Sequence, residues 1–269
     1  DEIIISDDHS SDGTVSIIQQ FAQVTSAPII LLQNQERLGY TRNFFRALEV
    51  AHGEIVFLSD QDDIWANKKI ECCSKIMREE PQIQALSTGY FVINASGQVV
   101  KKQFCHQMRT KKRISFQAFL RHPKYPGMAM AVRRELILEV LRCQPVHAAH
   151  DWQLNQMAAH KGTLFYWSVP LTYYRQHENN TVGMAQFSSI GKALQKRRLM
   201  LETLLKNLDT LQGVTQDELK FTERLRIVIQ KRLALLEKRS GFVLFFYDLL
   251  NLRYVSLRSL AGDVYVCLN

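Results

Sequence analysis

The first 65 residues alternate short apolar runs with stretches of helical periodicity, and two of the three runs end directly in clusters of aspartate. Residues 2–6 form the first run, which empties into Asp7-Asp8-His9-Ser10-Ser11-Asp12-Gly13. From Thr14, Val15, Ile18 and Phe21 recur at helical spacing, with Ile17 beside them. Pro28 introduces a second run at 29–32. Thr41 is placed to cap a helix carrying Phe44, Phe45, Leu48 and Ala51, which Gly53 stops. Residues 55–58 are a third buried-type run, ending in Ser59-Asp60-Gln61-Asp62-Asp63. Such alternation predicts an α/β fold with a parallel sheet covered by helices. Ligands of these sheets bind beyond the carboxyl ends of the strands, which is where both aspartate clusters fall.

Further along, a helix is expected over 67–80, closed by Pro81, and a strand pair over 84–94 and 99–104 around Ala95-Ser96-Gly97. A basic stretch at 105–124 includes a short helix near 115–121. A loop and strand follow at 126–132, helices at 134–142 and 151–161, and two strands at 163–169 and 171–175. After Gly183 the pattern becomes wholly helical, with one break at Gly213. Leu201, Leu204, Leu205 and Leu208 make one stripe, and Leu225, Ile229, Leu233 and Leu236 another. The expected organisation is an α/β domain over 1–185 and a helical region over 186–269.

The net charge of +8 is unevenly spread: residues 1–100 hold 7 Lys and Arg against 14 Asp and Glu, whereas residues 101–142 hold 11 against 2 and residues 186–269 hold 14 against 8. An acidic front suits a cation; basic later parts suit phosphates, nucleic acid or an anionic membrane surface, unless they are simply solvated helix faces. No nucleic-acid-binding motif accompanies the charge, so nucleic acid is not an expected partner. Cys72, Cys73, Cys105, Cys143 and Cys267 are odd in number and lack C-x-x-C spacing, which fits reduced thiols in a cytoplasmic protein. The opening residues lack the basic start and long apolar stretch of a signal peptide. Residues 242–260 are the nearest approach to a membrane span, and Asp248, Arg253 and Arg258 interrupt them.

Each cluster admits two readings. Asp60, Asp62 and Asp63 repel one another unless a cation or donors compensate, and magnesium or manganese favours such oxygen ligands; the same residues can cap the start of a helix. The Asp7–Gly13 cluster can equally be a turn chosen for its backbone. Asp151, in His150-Asp151-Trp152, is either a helix N-cap or a general base. His177, at the end of Tyr173-Tyr174-Arg175-Gln176-His177, is either structural or a metal ligand.

Taken together these blocks resemble glycosyltransferase family 2 on a GT-A fold. The family's D-D-x-S-x-D-G-T block is matched by Asp7 to Thr14, and its N-x-G turn followed by R-N by Arg37-Leu38-Gly39-Tyr40-Thr41-Arg42-Asn43, with Arg37 where Asn usually stands. The D-x-D-D-x-W block is Asp60 to Trp65, the H-D-W block is His150 to Trp152, and the Y-R-x-H block is Tyr174 to His177. Five blocks in order span residues 2–180, and their wording is most similar to bacterial rhamnosyltransferase-type members. The resemblance departs at its start: members begin with a further strand and helix, the strand ending in a P-x-Y-N-like turn that touches the nucleotide, and this sequence starts after both.

The resemblance implies a Rossmann-like sheet with helices on both faces and a nucleoside diphosphate sugar as donor, dTDP- or UDP-linked. Asp7 or Asp8 would contact the base, Arg42 the base or diphosphate, and Asp60 the ribose or metal. Asp62 would ligate Mg²⁺ or Mn²⁺, with His177 completing that site. Asp151 would be the catalytic base in a single inverting displacement onto a glycan or lipid-linked acceptor, in bacterial surface polysaccharide synthesis. Two alternatives remain beside it. One is a non-catalytic, truncated GT-A fragment or interaction module that keeps the fold and binds nucleotide poorly. The other is a nucleotidylyltransferase, against which stands the lack of a Gly-rich, Lys-containing phosphate loop near the N-terminus. The basic, aromatic-bearing tail, with Phe242-Val243-Leu244-Phe245-Phe246-Tyr247, either lies peripherally on the inner face of the plasma membrane or packs on protein.

Overall fold

The computed structural model describes residues 1–103, 110–143, 148–176, 190–211, 214–238, 240–256, 259–260 and 263. Two compact units emerge, Asp1–Arg113 with Tyr125–Arg175, and Ile114–Lys124 with Gln176–Asn269. His177, Gly183 and Gly213 lie outside the described residues.

In the first unit the expected alternation forms. Strand β1 (Ile3–Asp7) leads through helix α1 (Thr14–Val24) to β2 (Ile29–Gln33), and this crossover makes the two strands parallel, with Ile3 opposite Ile29 and Asp7 opposite Gln33. Helix α2 (Tyr40–Glu49) follows. Its N-cap is Gly39, at a φ of 78° that glycine adopts freely, so Thr41 lies inside the helix and does not cap it. The helix also ends before Gly53, where the N–H groups of His52 and Gly53 both donate to Glu2 Oε1, at 2.7 and 3.0 Å.

The expectation of a parallel sheet fails beyond this point. Strands β3 (Ile55–Phe57) and β4 (Ile64–Trp65), helix α3 (Lys69–Glu79), and strands β5 (Ala85–Ile93), β6 (Val99–Gln103) and β7 (Lys111–Arg113) come next. In the second unit lies α4 (Phe116–Arg121), capped by the Ser115 hydroxyl, which accepts from the Ala118 N–H. Strand β8 (Met130–Arg133), helices α5 (Arg134–Arg142) and α6 (His150–His160), and strand β9 (Leu164–Arg175) complete the first unit. The sheet order is β3-β8-β5-β9-β4, with β6 on β5 and β7 on β9. Strand β8 runs antiparallel to both β3 and β5, while β5 and β9 are parallel, so the sheet is mixed. The two strands expected at 163–169 and 171–175 are one. Pro170, without an N–H, sits at an irregularity where Thr88 faces Trp167, Gly89 faces Pro170 and Tyr90 faces Thr172, so β9 bulges and continues.

The core beneath the sheet is built from Cys73 and Met77 of α3 with Ile83, Leu86, Ala131 and Leu171. These apolar positions of α3 recur four apart, and Lys69 stands on the same stripe. Helices α2, α5 and α6 pack on one another through residues such as Phe45, Leu48, Leu136, Leu154 and Ala158. Helix α1 buries none of its residues.

The second unit is helical: α7 (Ile190–Leu208), α8 (Gln216–Glu237) and α9 (Gly241–Leu250). Thr215 and Glu218 form a reciprocal capping box at the start of α8. Leu201, Leu208, Leu225, Ile229 and Leu236 of the expected stripes are buried. Inside this unit Arg232 pairs with Asp248, Nε to Oδ1 at 3.2 Å, and with Asp263, which Arg197 also engages. Among the described residues no helix is long and apolar enough to cross a membrane.

Candidate active site

The second aspartate cluster is held between two strands. After β3 the chain passes Leu58, which is buried, and enters β4 within eight residues, where Ile64 pairs with Tyr173 and Trp65 with Thr172 of β9. Arg175, at the end of β9, clamps the intervening loop with both its backbone N–H and its guanidinium. Its N–H donates to Asp63 Oδ1 at 2.8 Å, its Nε to the Asp62 carbonyl at 2.8 Å, and its Nη1 to the Ala95 carbonyl at 2.8 Å. The carboxylates are thereby crowded in a partly dry site. Burial, then the charges of Asp62 and Asp151, push the Asp60 carboxyl up to about 6. Burial pushes Asp63 up to about 7, with Asp60 and Asp62 adding to it and the Arg175 N–H opposing.

Facing them is a buried ammonium. Lys69 is 1% exposed; its Nζ donates to the Met128 carbonyl at 2.7 Å and lies 4.0 Å from the centroid of the Trp65 ring. Burial lowers its pKa to about 8, while the charges of Cys73, Asp63 and Asp60 work to raise it.

Asp151 reaches the same site from α6. The N-cap of that helix is Ala149, so Asp151, one residue inside the first turn, is not the cap. Its Oδ2 accepts from the Gly127 N–H at 3.1 Å and its Oδ1 from the Trp152 N–H at 2.8 Å. Asn155, one turn on, donates to the Tyr125 carbonyl at 2.7 Å, which ties the segment around Gly127 to α6. His150 is buried and stacked on Phe44 of α2, with ring centroids 3.9 Å apart; burial lowers its pKa, and the Asp151 charge opposes that. The stacked ring is a packing surface beside Asp151.

The first aspartate cluster is a different construction. Asp8 accepts from the N–H groups of Leu38 and Gly39, at 2.7 and 2.9 Å, and from Asn34 Nδ2 at 3.0 Å. Burial works against its charge, but these donors hold the carboxyl below the usual range. Asp8 thus braces the turn that starts α2. Asn34 also donates to Asn43 Oδ1 at 2.9 Å, and Asn43 Nδ2 donates to the Ser6 carbonyl at 2.7 Å, so β1, β2 and α2 are bound into one polar knot. Asp7 is buried, with Oδ2 accepting from the Ser10 N–H at 3.1 Å. Arg42 stands exposed on α2. A hollow of about 690 Å³ opens beyond β2, lined by Gln33, Asn34, Gln35, Glu36, Leu38 and Arg46; none of the candidate residues lines it.

The donor set of the second cluster suits a hard divalent ion. Asp60, Asp62 and Asp63 supply carboxylate oxygens only, and Asp63 Oδ2 is buried without a hydrogen-bond partner. Among the described residues no three His, Cys, Asp or Glu side chains converge as a ready cage. An ion there would take further ligands from phosphate oxygens and water, the usual habit of magnesium.

Sequence reading did not single out Lys69, Gly127 or Phe44. Lys69 had a detectable signal, a lone cation on the apolar stripe of α3 four residues after Trp65. Gly127 and Phe44 had none, since what distinguishes them is a long-range contact.

The family model described as Glycosyl transferase family 2 matches residues 1–141. The dTDP-rhamnosyl transferase RfbG of Shigella flexneri is 29% identical over 195 residues, covering 67% of this chain and 64% of that protein. The putative teichuronic acid biosynthesis glycosyltransferase TuaG of Bacillus subtilis is 34% identical over 106 residues, covering 39% of this chain and 40% of that one. The chain thus spans less than two thirds of the length of either relative. Among solved structures, S. aureus TarS 1-349 in complex with UDP-GlcNAc superposes with a TM-score of 0.58 at 16% identity, over 99% of this chain and 80% of that one. That likeness is one of fold, the GT-A glycosyltransferase fold.

A methyl group at Gly127 tests the packing beneath Asp151. An added Cβ would lie 3.0 Å from His150 Nε2, 3.3 Å from Asp151 Cβ and 3.5 Å from Leu58 Cδ1. Gly127→Ala is expected to destabilise the first unit by about 1–3 kcal/mol, as overpacking does. A shift in the denaturation midpoint measures it, and Gly127→Ala in a His150→Ala background should cost less. An unchanged midpoint in the single variant would contradict the contact.

Proposed function

The chain belongs to glycosyl transferase family 2, and on that footing we propose that it moves one sugar, with inversion, from a nucleoside diphosphate to an acceptor hydroxyl. The observation that carries the reading is the meeting of the Asp60–Asp63 carboxylates, buried Lys69 and Asp151 at the strand ends. A divalent ion, Mg²⁺ or Mn²⁺, held by Asp62 with His177, would supply neutralisation of the charge that grows on the departing diphosphate. Asp60 orients the ribose and diphosphate beside it. Asp7, Asp8 and Arg42 serve the nucleotide, Asp8 by keeping its turn in place through the bonds to Leu38 and Gly39.

Asp151 then acts as general base. The acceptor oxygen forms its bond to the anomeric carbon as the bond to the diphosphate oxygen breaks, the electron pair leaving with the diphosphate. The acceptor proton passes to a carboxylate oxygen of Asp151, whose lone pairs are not exhausted by the Gly127 N–H. Rhamnose from a dTDP donor is the favoured sugar, supported by the motif wording and by the likeness to a dTDP-rhamnosyl transferase. A bacterial surface polysaccharide, or its lipid-linked precursor, is the favoured acceptor, reached by a cytoplasmic enzyme whose basic helical part meets the inner face of the plasma membrane.

A panel of dTDP- and UDP-sugars with Mg²⁺ or Mn²⁺, read by nucleotide release and by the anomeric configuration of the product, tests the activity. Asp62→Ala is expected to abolish metal-dependent transfer with the circular dichroism of the wild type; wild-type turnover and an unchanged Mn²⁺ titration would remove the metal assignment. Asp151→Asn keeps an oxygen for the Gly127 N–H but cannot take a proton. It should retain donor affinity and lose kcat by about 10²–10⁴, the range for general-base removal; full activity would reduce Asp151 to a structural residue.

A further inference from the structure

Helix α9 is built inside out. Its buried side carries Gly241, Leu244 and Asp248, the last two 0% exposed, whereas Val243, Phe246, Leu249 and Leu250 stand 57, 56, 44 and 84% exposed. These four lie at i, i+3, i+6 and i+7, one continuous stripe on the solvent side. The single ionisable acid of the helix, Asp248, is turned inward against Arg232 of α8. No charge is left on the outer face. Leu252, 37% exposed, extends the apolar surface past the helix end. Contiguous apolar exposure of this kind marks a surface that meets something.

The charges around the stripe indicate the occupant. Lys238, just before the helix, and Arg253, just after it, are both exposed. Glu237, beside Lys238, is also exposed but is paired with Arg198 at 2.9 Å, and residues 186–269 hold 14 Lys and Arg against 8 Asp and Glu, so the surplus of charge in this part of the chain is positive. Cations that flank an apolar helix face can reach anionic headgroups while the face enters the acyl boundary. Ten residues make a helix of about 15 Å, half the roughly 30 Å of a bilayer core, so α9 is suited to lie in the interface and not to cross it.

We propose that the Val243–Phe246–Leu249–Leu250 face of α9 is a docking surface for an anionic lipid bilayer, inserted at the headgroup level with Lys238 and Arg253 on the phosphates. This rests on the reading above that the basic helical part meets a membrane, and names the element that does so.

Flotation of the full chain with vesicles of phosphatidylcholine alone, or of phosphatidylcholine with phosphatidylglycerol, tests it. The chain should float with the anionic vesicles and be released by salt. Phe246→Glu with Leu250→Glu should lower the bound fraction at least about tenfold. Lys238→Glu with Arg253→Glu should erase the preference for anionic vesicles. Phe246→Trp, a conservative change, should show a blue-shifted tryptophan emission on adding anionic vesicles, and it decides the matter should the glutamate variant not fold. No flotation with either vesicle overturns both this surface and the membrane reading. Flotation undiminished in the Phe246→Glu, Leu250→Glu variant, or no blue shift in Phe246→Trp, overturns α9 alone. A lipid-free dimer that the same glutamate variant dissolves, with vesicle binding unaffected, assigns the face to a second copy and overturns the proposal as well.

Discussion

Lys69 buries an ammonium that feels the charges of Asp60 and Asp63, and its contacts tie together separate parts of the first unit. Its one strong neutral acceptor is the Met128 carbonyl, in the segment that also carries Gly127, and its hydrocarbon surroundings end on the face of Trp65. The ammonium therefore joins α3, β4 and the Gly127 segment, which are far apart in sequence. A buried cation without anionic partners is costly, and carboxylates this close together without a cation are costly too. Each makes the other tolerable. The compensation is incomplete, since Asp60 and Asp63 stay well above the ordinary carboxylate range. A site with residual negative charge, oxygen donors and a spare buried oxygen is what a divalent ion bridging to phosphate requires.

The two aspartate clusters look alike in sequence and do different work. Asp8 spends its charge on backbone N–H groups and ends up held as an anion by three donors. Its product is a rigid turn, which fixes where α2 begins and where Phe44 presents its ring to His150. In the Asp60–Asp63 cluster Arg175 grips the Asp62 carbonyl and one oxygen of Asp63, while Asp60 stays crowded by Asp62 and Asp151. The first cluster is relaxed and structural in its bonding; the second is compressed. Asp151 belongs electrostatically with the second, and the Gly127 N–H sets the direction of its carboxylate.

Much of this was legible in the residues. The βα alternation, the two clusters at strand ends and the helices at 134–142 and 151–161 follow from local periodicity, which is a property of neighbouring residues. What escaped was decided by pairing. Strand β4 is only two residues long and β7 three, too short to carry a pattern; each exists because β9 offers it an edge. Pro170 reads as a break, yet the bulge lets β9 run through it. The parallel expectation failed at β8, whose direction is set by the chain around it and leaves no mark in its four residues. Thr41 lost the cap position to Gly39 because the turn braced by Asp8 needs a positive φ.

In the proposed reaction the Asp60–Asp63 cluster holds a divalent ion together with the diphosphate of a nucleotide donor. The electron paramagnetic resonance signal of Mn²⁺ titrated into the protein, with and without dTDP or UDP, addresses it directly. Mn²⁺ alone should bind weakly, and adding nucleotide should lower the free-ion signal beyond the loss in a protein-free mixture of Mn²⁺ and nucleotide, with both effects absent in Asp62→Ala. A loss no greater than in the protein-free mixture, or an equal excess loss in Asp62→Ala, would contradict such a site.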